Sequence, residues 1–126
     1  MCEDFKPTSV DELKFNSHIT EIQGHRVITL TGELDLFSAP QFQQFIAGFL
    51  DGTEQNLIID MHKVTYIDST GISTLVSVLK RISPDGGTVN LVGCTPSINH
   101  ILSVTKISNY VALHQNIDDA LRALSA

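Results

Sequence analysis

The sequence feature that most constrains the fold is a buried strand pattern followed closely by an amphipathic helix pattern. The run Leu57-Ile58-Ile59-Asp60-Met61 is almost continuously apolar, as parallel strands covered on both faces are. The next apolar residues are spaced by three and four, which is the period of one helix face. They are Ile72, Leu75, Val76, Leu79 and Ile82. A strand that leads into a helix of this kind predicts an α/β fold.

An antiparallel hairpin and a first helix are predicted upstream of this unit. Partly alternating apolar residues over 13–22 and 26–31 flank a turn at residues 23–25. Segment 38–41 then resembles a capping box, with Ser38 at the cap, proline in the first turn and glutamine three residues on. The apolar stripe of this helix, which we expect to face the core rather than a cofactor, is Phe42, Phe45, Ile46 and Phe49.

Two further strand and helix pairs are predicted in the C-terminal part of the chain. Strands are indicated at 88–92 and 111–113, and helices begin after the capping residues Thr95 and Asn116. The resulting order is strand, strand, helix, and then strand and helix three times. This order predicts a mixed, mainly parallel β-sheet with about four helices packed on it.

The length of 126 residues fits one domain and is too short for two ordinary ones. An apolar share of 42% and a charged share of 17% are typical of a globular chain. Residues 1–11 are polar and are predicted to form a flexible tail. Residues 12–126 are therefore predicted to be a single domain.

Composition argues against several classes of function. The formal net charge is −6 with only eight basic residues, whereas nucleic-acid binding depends on clustered Lys and Arg. No stretch approaches the roughly 18 consecutive apolar residues of a membrane span, and the start of the chain does not resemble a secretion signal. Cys2 and Cys94 have no spacing typical of metal or redox sites, which favours a reducing cytoplasm.

The residues that could carry chemistry follow the strand at 57–61. Functional groups of α/β sheets collect beyond the carboxyl ends of parallel strands. Asp60 is predicted to end its strand, and Asp68-Ser69-Thr70-Gly71 starts the next helix, so both are expected at one sheet edge. Either Asp68 or Ser69 could be present only as a helix cap, because their oxygens accept hydrogen bonds from free N–H groups. The residues alone leave that alternative open.

Known catalytic spacings are not met in this segment. An aspartic protease loop needs Asp directly before Thr-Gly, and a nucleophile elbow needs Gly-x-Ser-x-Gly, but position 67 is isoleucine. No Gly-x-x-x-x-Gly-Lys loop occurs, and the five histidines form no short metal-binding pair. The sequence therefore predicts neither an enzyme nor a metal or cofactor site.

A serine at a helix start among carboxylates is well suited to being a substrate. A phosphate on Ser69 would add about −1.5 to −2 charges to this edge. The N–H groups of the helix end could hold the phosphate, so the fold should survive the modification. With Asp60 and Asp68 close by, the edge would become strongly negative and would repel a partner docked there. The predicted switch is one of local electrostatics.

The sequence resembles the STAS domain, and more narrowly the single-domain bacterial anti-sigma factor antagonists, over about residues 13–124. The similarity is carried by Gly32-Glu33-Leu34-Asp35, by the strand ending in Asp60 and by the segment 66–72. The resemblance implies that Ser69 is phosphorylated by a GHKL-type serine kinase, itself the anti-sigma factor. The unphosphorylated form would bind this kinase and free the sigma factor, and a PP2C-type phosphatase would restore the serine.

The same resemblance implies that Asp35 and Asp68 shape a docking edge for the partner. The full set of predicted docking residues is Asp35, Asp60, Asp68, Thr70, Gly71 and Ile72. Thr70 is also the second choice as phosphoacceptor. Ser73 stands where the family often has glycine, a difference that could alter the choice of partner.

Two other functions stay open at this point. One is a STAS-fold adaptor in another pathway that uses the same switch. The other is a small-ligand or lipid carrier whose apolar groups form a pocket, or an isolated piece of a transporter. No feature demands more than a monomer or a weak dimer.

Overall fold

A computed structural model describes residues 15–50, 56–82 and 86–125 of the chain. The predicted tail, residues 1–11, lies outside the described residues. Within them the chain forms five strands, four α-helices and one short 3₁₀ helix, Ile107–Asn109. The strands are β1 (Asn16–Ile22), β2 (His25–Leu34), β3 (Asn56–Ile67), β4 (Thr88–Val92) and β5 (Ala112–His114). The α-helices are α1 (Ala39–Phe49), α2 (Ser69–Ile82), α3 (Pro96–Val104) and α4 (Ile117–Ser125).

The strands lie side by side in chain order, β1-β2-β3-β4-β5. The pair β1–β2 is antiparallel and the other three pairs are parallel. The hairpin closes through Gln23 and Gly24, whose φ angles of 53° and 82° are those of the tight turns that match strand twist. The predicted hairpin, the element order and the mixed, mainly parallel sheet are thus confirmed.

The helices divide between the two faces of the sheet. The connections from β2 to β5 all advance in one direction, and right-handed crossovers of that kind place their helices on a single face. Helices α1, α2 and α3 accordingly share the larger core with strand residues such as Leu57 and Ile59. Helix α4 covers the other face, where Ala120 and Leu121 pack on Ile58.

Strand β3 is longer than the apolar run that predicted it. It continues from Met61 to Ile67, pairing with β2 alone, because its pairing with β4 stops where Asp60 meets Val92. Two register shifts in the β2–β3 pairing break the alternation of buried and exposed residues. The expectation that Asp60 ends its strand is therefore wrong, since seven strand residues follow it.

The predicted helix caps have different outcomes. Thr95 Oγ1 accepts a hydrogen bond from the Ile98 N–H at 3.2 Å, and Asn116 Oδ1 accepts one from the Asp119 N–H at 2.8 Å. Both of these caps are confirmed. Ser38 precedes α1, but its side chain makes no capping hydrogen bond, so the predicted capping box is wrong. Its hydroxyl instead donates to the Glu33 carbonyl at 2.7 Å.

Candidate functional site

The N-terminus of α2 is capped by Asp68. Its Oδ1 accepts a hydrogen bond from the Gly71 N–H at 2.9 Å, and its carbonyl accepts one from the Ile72 N–H at 2.9 Å. This is the pattern of an N-cap, in which a side-chain oxygen satisfies one of the free donors of the first turn. Of the two residues that could have been the cap, the structure selects Asp68.

Ser69 is therefore left as the first residue of α2 with an exposed side chain. Among the described residues its hydroxyl forms no hydrogen bond. Its carbonyl accepts a hydrogen bond from Ser73 Oγ at 3.1 Å. The N–H groups of Ser69 and Thr70 have no acceptor within the helix, as is normal for a first turn. The hydroxyl thus lies free beside a helix end that attracts anions.

The loop between β2 and α1 forms the neighbouring part of this edge. Asp35 Oδ1 accepts hydrogen bonds from the N–H groups of Phe37 and Ser38, each at 3.0 Å. The Asp35 N–H in turn donates to Ser38 Oγ at 2.9 Å. These short-range bonds satisfy the backbone of the loop and fix its conformation. The predicted docking residue Asp35 is thus half-buried and acts as the internal brace of this loop.

Asp68 joins this loop to the start of α2. Its Oδ2 accepts a hydrogen bond from the Leu36 N–H at 3.1 Å, while its N–H donates to the Leu34 carbonyl at 3.3 Å. One carboxylate therefore holds a helix end with one oxygen and a loop with the other. The structure brings Asp35, Asp68 and Ser69 together at the carboxyl ends of β2 and β3.

Gly71 and Ile72 support this edge from beneath. A Cβ atom on Gly71 would lie 2.2 Å from the Leu34 carbonyl oxygen and 2.7 Å from Ile67 Cγ1, so the close contact between α2 and the strand ends requires glycine. Ile72 is 9% exposed and packs into the larger core. Thr70 is half-buried. Of the predicted docking residues, Gly71 and Ile72 are thus buried.

Asp60 lies elsewhere in the molecule. It is 6% exposed and occupies the β3 position opposite Val92, on the α4 side of the sheet. About eight residues of strand rise separate it from Asp68, which is roughly 25 Å at ~3.3 Å per residue. The expectation that Asp60 and Ser69 share one sheet edge is wrong, because β3 continues past Asp60.

The surroundings of Asp60 form a separate polar group. Its Oδ1 accepts hydrogen bonds from the His62 N–H at 3.1 Å and from His62 Nδ1 at 2.6 Å. The pair lines a shallow cleft with Gly93 and with the residues that begin α4. Among the described residues, no group of three or more His, Cys, Asp and Glu side chains is placed to hold a metal ion. In that same part of the chain, every helix is too short or too polar to cross a membrane.

The sequence interpretation missed the apolar side chains exposed near the carboxyl ends of β2 and β3, the edge that carries Ser69. Leu36 is 60% exposed and Phe37 is 88% exposed, both in the braced loop, and Tyr66 near the end of β3 is 50% exposed. The signal that could have found them is an adjacent apolar pair inside a loop, between Asp35 and Ser38, where polar residues are usual. Neither residue belongs to the stripe of a helix or strand.

Comparison with known proteins gives consistent results. The family description of the STAS domain matches residues 16–120. The chain is 19% identical to the anti-sigma-B factor antagonist of Staphylococcus aureus over 91 residues, which are 72% of this chain and 84% of that protein.

Solved structures show the same fold. An anti-sigma factor antagonist from Mycobacterium paratuberculosis superposes with a TM-score of 0.81 at 23% identity, over 90% of this chain and 96% of that one. The Bacillus cell fate determinant SpoIIAA in its phosphorylated form superposes with a TM-score of 0.66 at 17% identity, over 88% of this chain and 99% of that one. The resemblance noticed in the sequence is confirmed, and the chain belongs to the STAS domain family.

Proposed function

We propose that this chain is an anti-sigma factor antagonist that binds its partner through the edge around Ser69 and is released when Ser69 is phosphorylated. The observation that carries this proposal is the free, exposed hydroxyl of Ser69 at the first position of α2. The cap of that helix is supplied by Asp68, so the serine is not needed to hold the helix end. A kinase can therefore modify it without removing a structural hydrogen bond.

The helix end can receive the phosphate where it forms. The N–H groups of Ser69 and Thr70 point out of the first turn, and the partial positive charge of a helix N-terminus stabilises a bound anion. The core beneath, through Ile72 and Leu75, is not touched by the added group. The fold is therefore expected to be the same in both states.

The charge of the edge is what changes. The carboxylates of Asp35 and Asp68 already lie beside Ser69, and a phosphate adds about −1.5 to −2 charges. At such short distances and at a half-buried surface, like charges repel strongly and salt screens them only in part. A kinase holds the negatively charged phosphates of its nucleotide against the serine that it modifies, so like charges meet at Ser69 once it is phosphorylated and the kinase is expected to dissociate.

The partners follow from the family resemblance. We infer a GHKL-type serine kinase that is also the anti-sigma factor, and a PP2C-type phosphatase that regenerates Ser69. Two relatives support an anti-sigma factor antagonist over another STAS-fold adaptor. The Staphylococcus relative is an anti-sigma-B factor antagonist, and the Bacillus relative has been solved in a phosphorylated form. The chain itself would act in the cytoplasm as a regulator and not as an enzyme.

The first experiment maps the phosphate. The chain is incubated with each GHKL-type kinase of its host and ATP, and the modified residue is identified by mass spectrometry. We expect one phosphate on Ser69, none in the Ser69→Ala variant, and unchanged incorporation in the matched Ser73→Ala variant. A Thr70→Ala variant shows whether any of the phosphate is carried by Thr70, the second choice as phosphoacceptor. If no kinase modifies Ser69 or Thr70, the phosphorylation switch is refuted.

The second experiment measures release. Ser69→Ala is expected to bind the kinase as the unmodified chain does, and Ser69→Asp is expected to bind at least about tenfold more weakly because of the added charge. Ser77→Asp, which adds the same charge to an exposed position of α2 two turns away, serves as the control. Equal affinities of Ser69→Ala and Ser69→Asp would contradict the electrostatic mechanism.

A further inference from the structure

Leu36 and Phe37 form an apolar pair that the fold leaves in solvent. With exposed fractions of 60% and 88%, they contribute almost nothing to the core. Exposed apolar side chains that cluster, rather than occurring singly, mark sites where another molecule binds. Tyr66, half-exposed near the end of β3, adds a third aromatic or aliphatic group on the same edge.

The backbone beneath this pair is held in one conformation. The Leu36 N–H donates to Asp68 Oδ2, and the Phe37 N–H donates to Asp35 Oδ1. Ser38 closes the loop through its hydroxyl, which donates to the Glu33 carbonyl. A side chain presented from a fixed loop loses little additional entropy on binding, so its burial contributes more of its free energy to affinity.

The pair is surrounded by acidic groups. The carboxylates of Asp35 and Asp68 lie beneath it, and Glu33 is exposed at the end of β2, next to Tyr66 in the strand register. An aromatic side chain with an acidic rim is complementary to an apolar pocket bordered by Lys and Arg. That complementarity identifies a protein partner rather than a nucleic acid or an anionic membrane, which acidic rims repel.

We propose that Leu36 and Phe37 are the apolar anchor through which the anti-sigma factor kinase binds this chain. Phe37 inserts into an apolar pocket of the kinase that is bordered by Lys and Arg. The inference rests on the proposed function and deepens it by naming the contact. Because Asp68 bonds the anchor loop with one oxygen and the start of α2 with the other, a kinase that holds Phe37 is brought to the edge that carries Ser69. The anchor and the phosphoacceptor then belong to one interface.

The test compares the affinities of single variants for the kinase that phosphorylates Ser69, measured by calorimetry with the full chain. Phe37→Ala is expected to weaken binding at least about tenfold, as removal of a central aromatic anchor does. Phe37→Leu, which keeps an apolar group, is expected to recover most of that loss. Phe37→Asp is expected to bind most weakly.

Phe49→Ala is the matched control. It deletes the same side chain from a half-exposed position at the end of α1, which leads to the opposite, amino-terminal edge of β3. Its affinity is expected to stay within about twofold of the unmodified chain, since residues outside the central anchor contribute little. Circular dichroism melts of all variants establish that each is folded.

Three results would overturn the inference. If Phe37→Ala binds as tightly as the unmodified chain while Ser69 is still phosphorylated, the anchor is wrong and the proposed function stands. If the unmodified chain binds none of the kinases, both are wrong. If the unmodified chain self-associates in sedimentation and Phe37→Ala does not, the pair is a dimer contact and the kinase assignment fails.

Discussion

Asp60 and Asp68 show how two similar carboxylates can have different roles. Each follows apolar residues of β3, each accepts two N–H hydrogen bonds, and each lies near the start of a helix. Asp68 bonds groups from two separate elements, and the serine beside it stays exposed. Asp60 is buried, and both of its donors belong to His62, two residues away in the same strand.

The comparison indicates which aspartate marks a site. Among the described residues Asp60 accepts hydrogen bonds only from His62, so its carboxylate joins no second element and frees no neighbouring hydroxyl. Asp68 takes over the cap of α2 and thereby frees the Ser69 hydroxyl, while the same carboxylate holds the exposed Leu36 and Phe37 in place. A functional edge is thus recognised by the side chain that its hydrogen bonds leave free, here the Ser69 hydroxyl.

The largest expected effect is at Gly71, on which the geometry of the Ser69 edge depends. A valine side chain there would overlap the Leu34 carbonyl, which lies 2.2 Å from the position of a Cβ atom. Because that neighbour is backbone and cannot rotate away, Gly71→Val should lower the free energy of unfolding by about 3 kcal/mol. Urea denaturation measures the change.

Gly48→Ala provides the control for this substitution. Gly48 lies in α1 with no atom within 4 Å of the position of a Cβ atom. The added methyl group is expected to stabilise the chain by about 0.5–1 kcal/mol, since alanine is the better helix former. Equal losses of stability in Gly71→Val and Gly48→Ala would show that the close contact between Gly71 and the Leu34 carbonyl does not determine the free energy of unfolding.

The second prediction concerns the opposite end of the comparison, near Asp60. Cys94 follows Gly93, which packs against His62, and burial raises the pKa of the Cys94 thiol from 9.0 to about 11. Only the thiolate reacts, so at pH 8 alkylation should be about 100-fold slower than for an unperturbed thiol. The rate should rise about tenfold for each pH unit up to that pKa.

Iodoacetamide labelling of a Cys2→Ser variant measures Cys94 alone, because the chain has two cysteines. The same protein unfolded in urea supplies the reference rate. Labelling of the folded chain as fast as that of the unfolded chain would mean that Cys94 is as open to solvent as the Ser69 edge, and the comparison would fail.

The third prediction sets the two aspartates directly against each other. Asp68→Ala removes the acceptor for Gly71 and Leu36 and should lower the free energy of unfolding by about 1–2 kcal/mol. It should also weaken binding of the kinase, since the loop that carries Phe37 is released. Asp60→Ala removes the bonds to His62 and should cost about as much stability, with no change in affinity.

Calorimetric titration of both variants with the same kinase decides the matter. Loss of affinity in Asp60→Ala alone would assign docking to the α4 side of the sheet. Comparable losses in both variants would indicate that the two regions are coupled through the fold rather than independent.

The fold could be predicted from the sequence wherever a regular period repeats. The helix at 69–82 and the capping residues Thr95 and Asn116 depend on neighbours within one turn, and local patterns record such contacts. The length of β3 could not be predicted, because its second half pairs only with β2 across register shifts. Its buried residues there, Val64 and Ile67, recur every three positions instead of every two.

The site could be predicted only in part, for a related reason. Motif and resemblance pointed to Ser69 and Asp68. Which of them caps α2 depends on which side-chain oxygen reaches a free N–H group of the first turn, and only the structure shows that this is Asp68. Ser38 shows the same limit, because its side chain turns to the Glu33 carbonyl that tertiary structure places nearby. The role of the Leu36 and Phe37 loop follows from a hydrogen bond to a residue 32 positions away, which no local pattern contains.

The smallest expected effect is at Ser73, which tests whether the Ser69 edge depends on the helix that follows it. Ser73 is exposed, and its hydroxyl donates to the Ser69 carbonyl, a bond that alanine cannot make. Serine bonded in this way is a poorer helix former than alanine, so Ser73→Ala should raise the free energy of unfolding by about 0.5 kcal/mol. Glycine, often found here in the family, should instead lower it by about the same amount. Kinase affinity should be unchanged in both variants if the anchor and the charge at Ser69 determine binding. A change in affinity of more than about threefold in either variant would indicate that the kinase also contacts the backbone of the first turn of α2, at the Ser69 carbonyl.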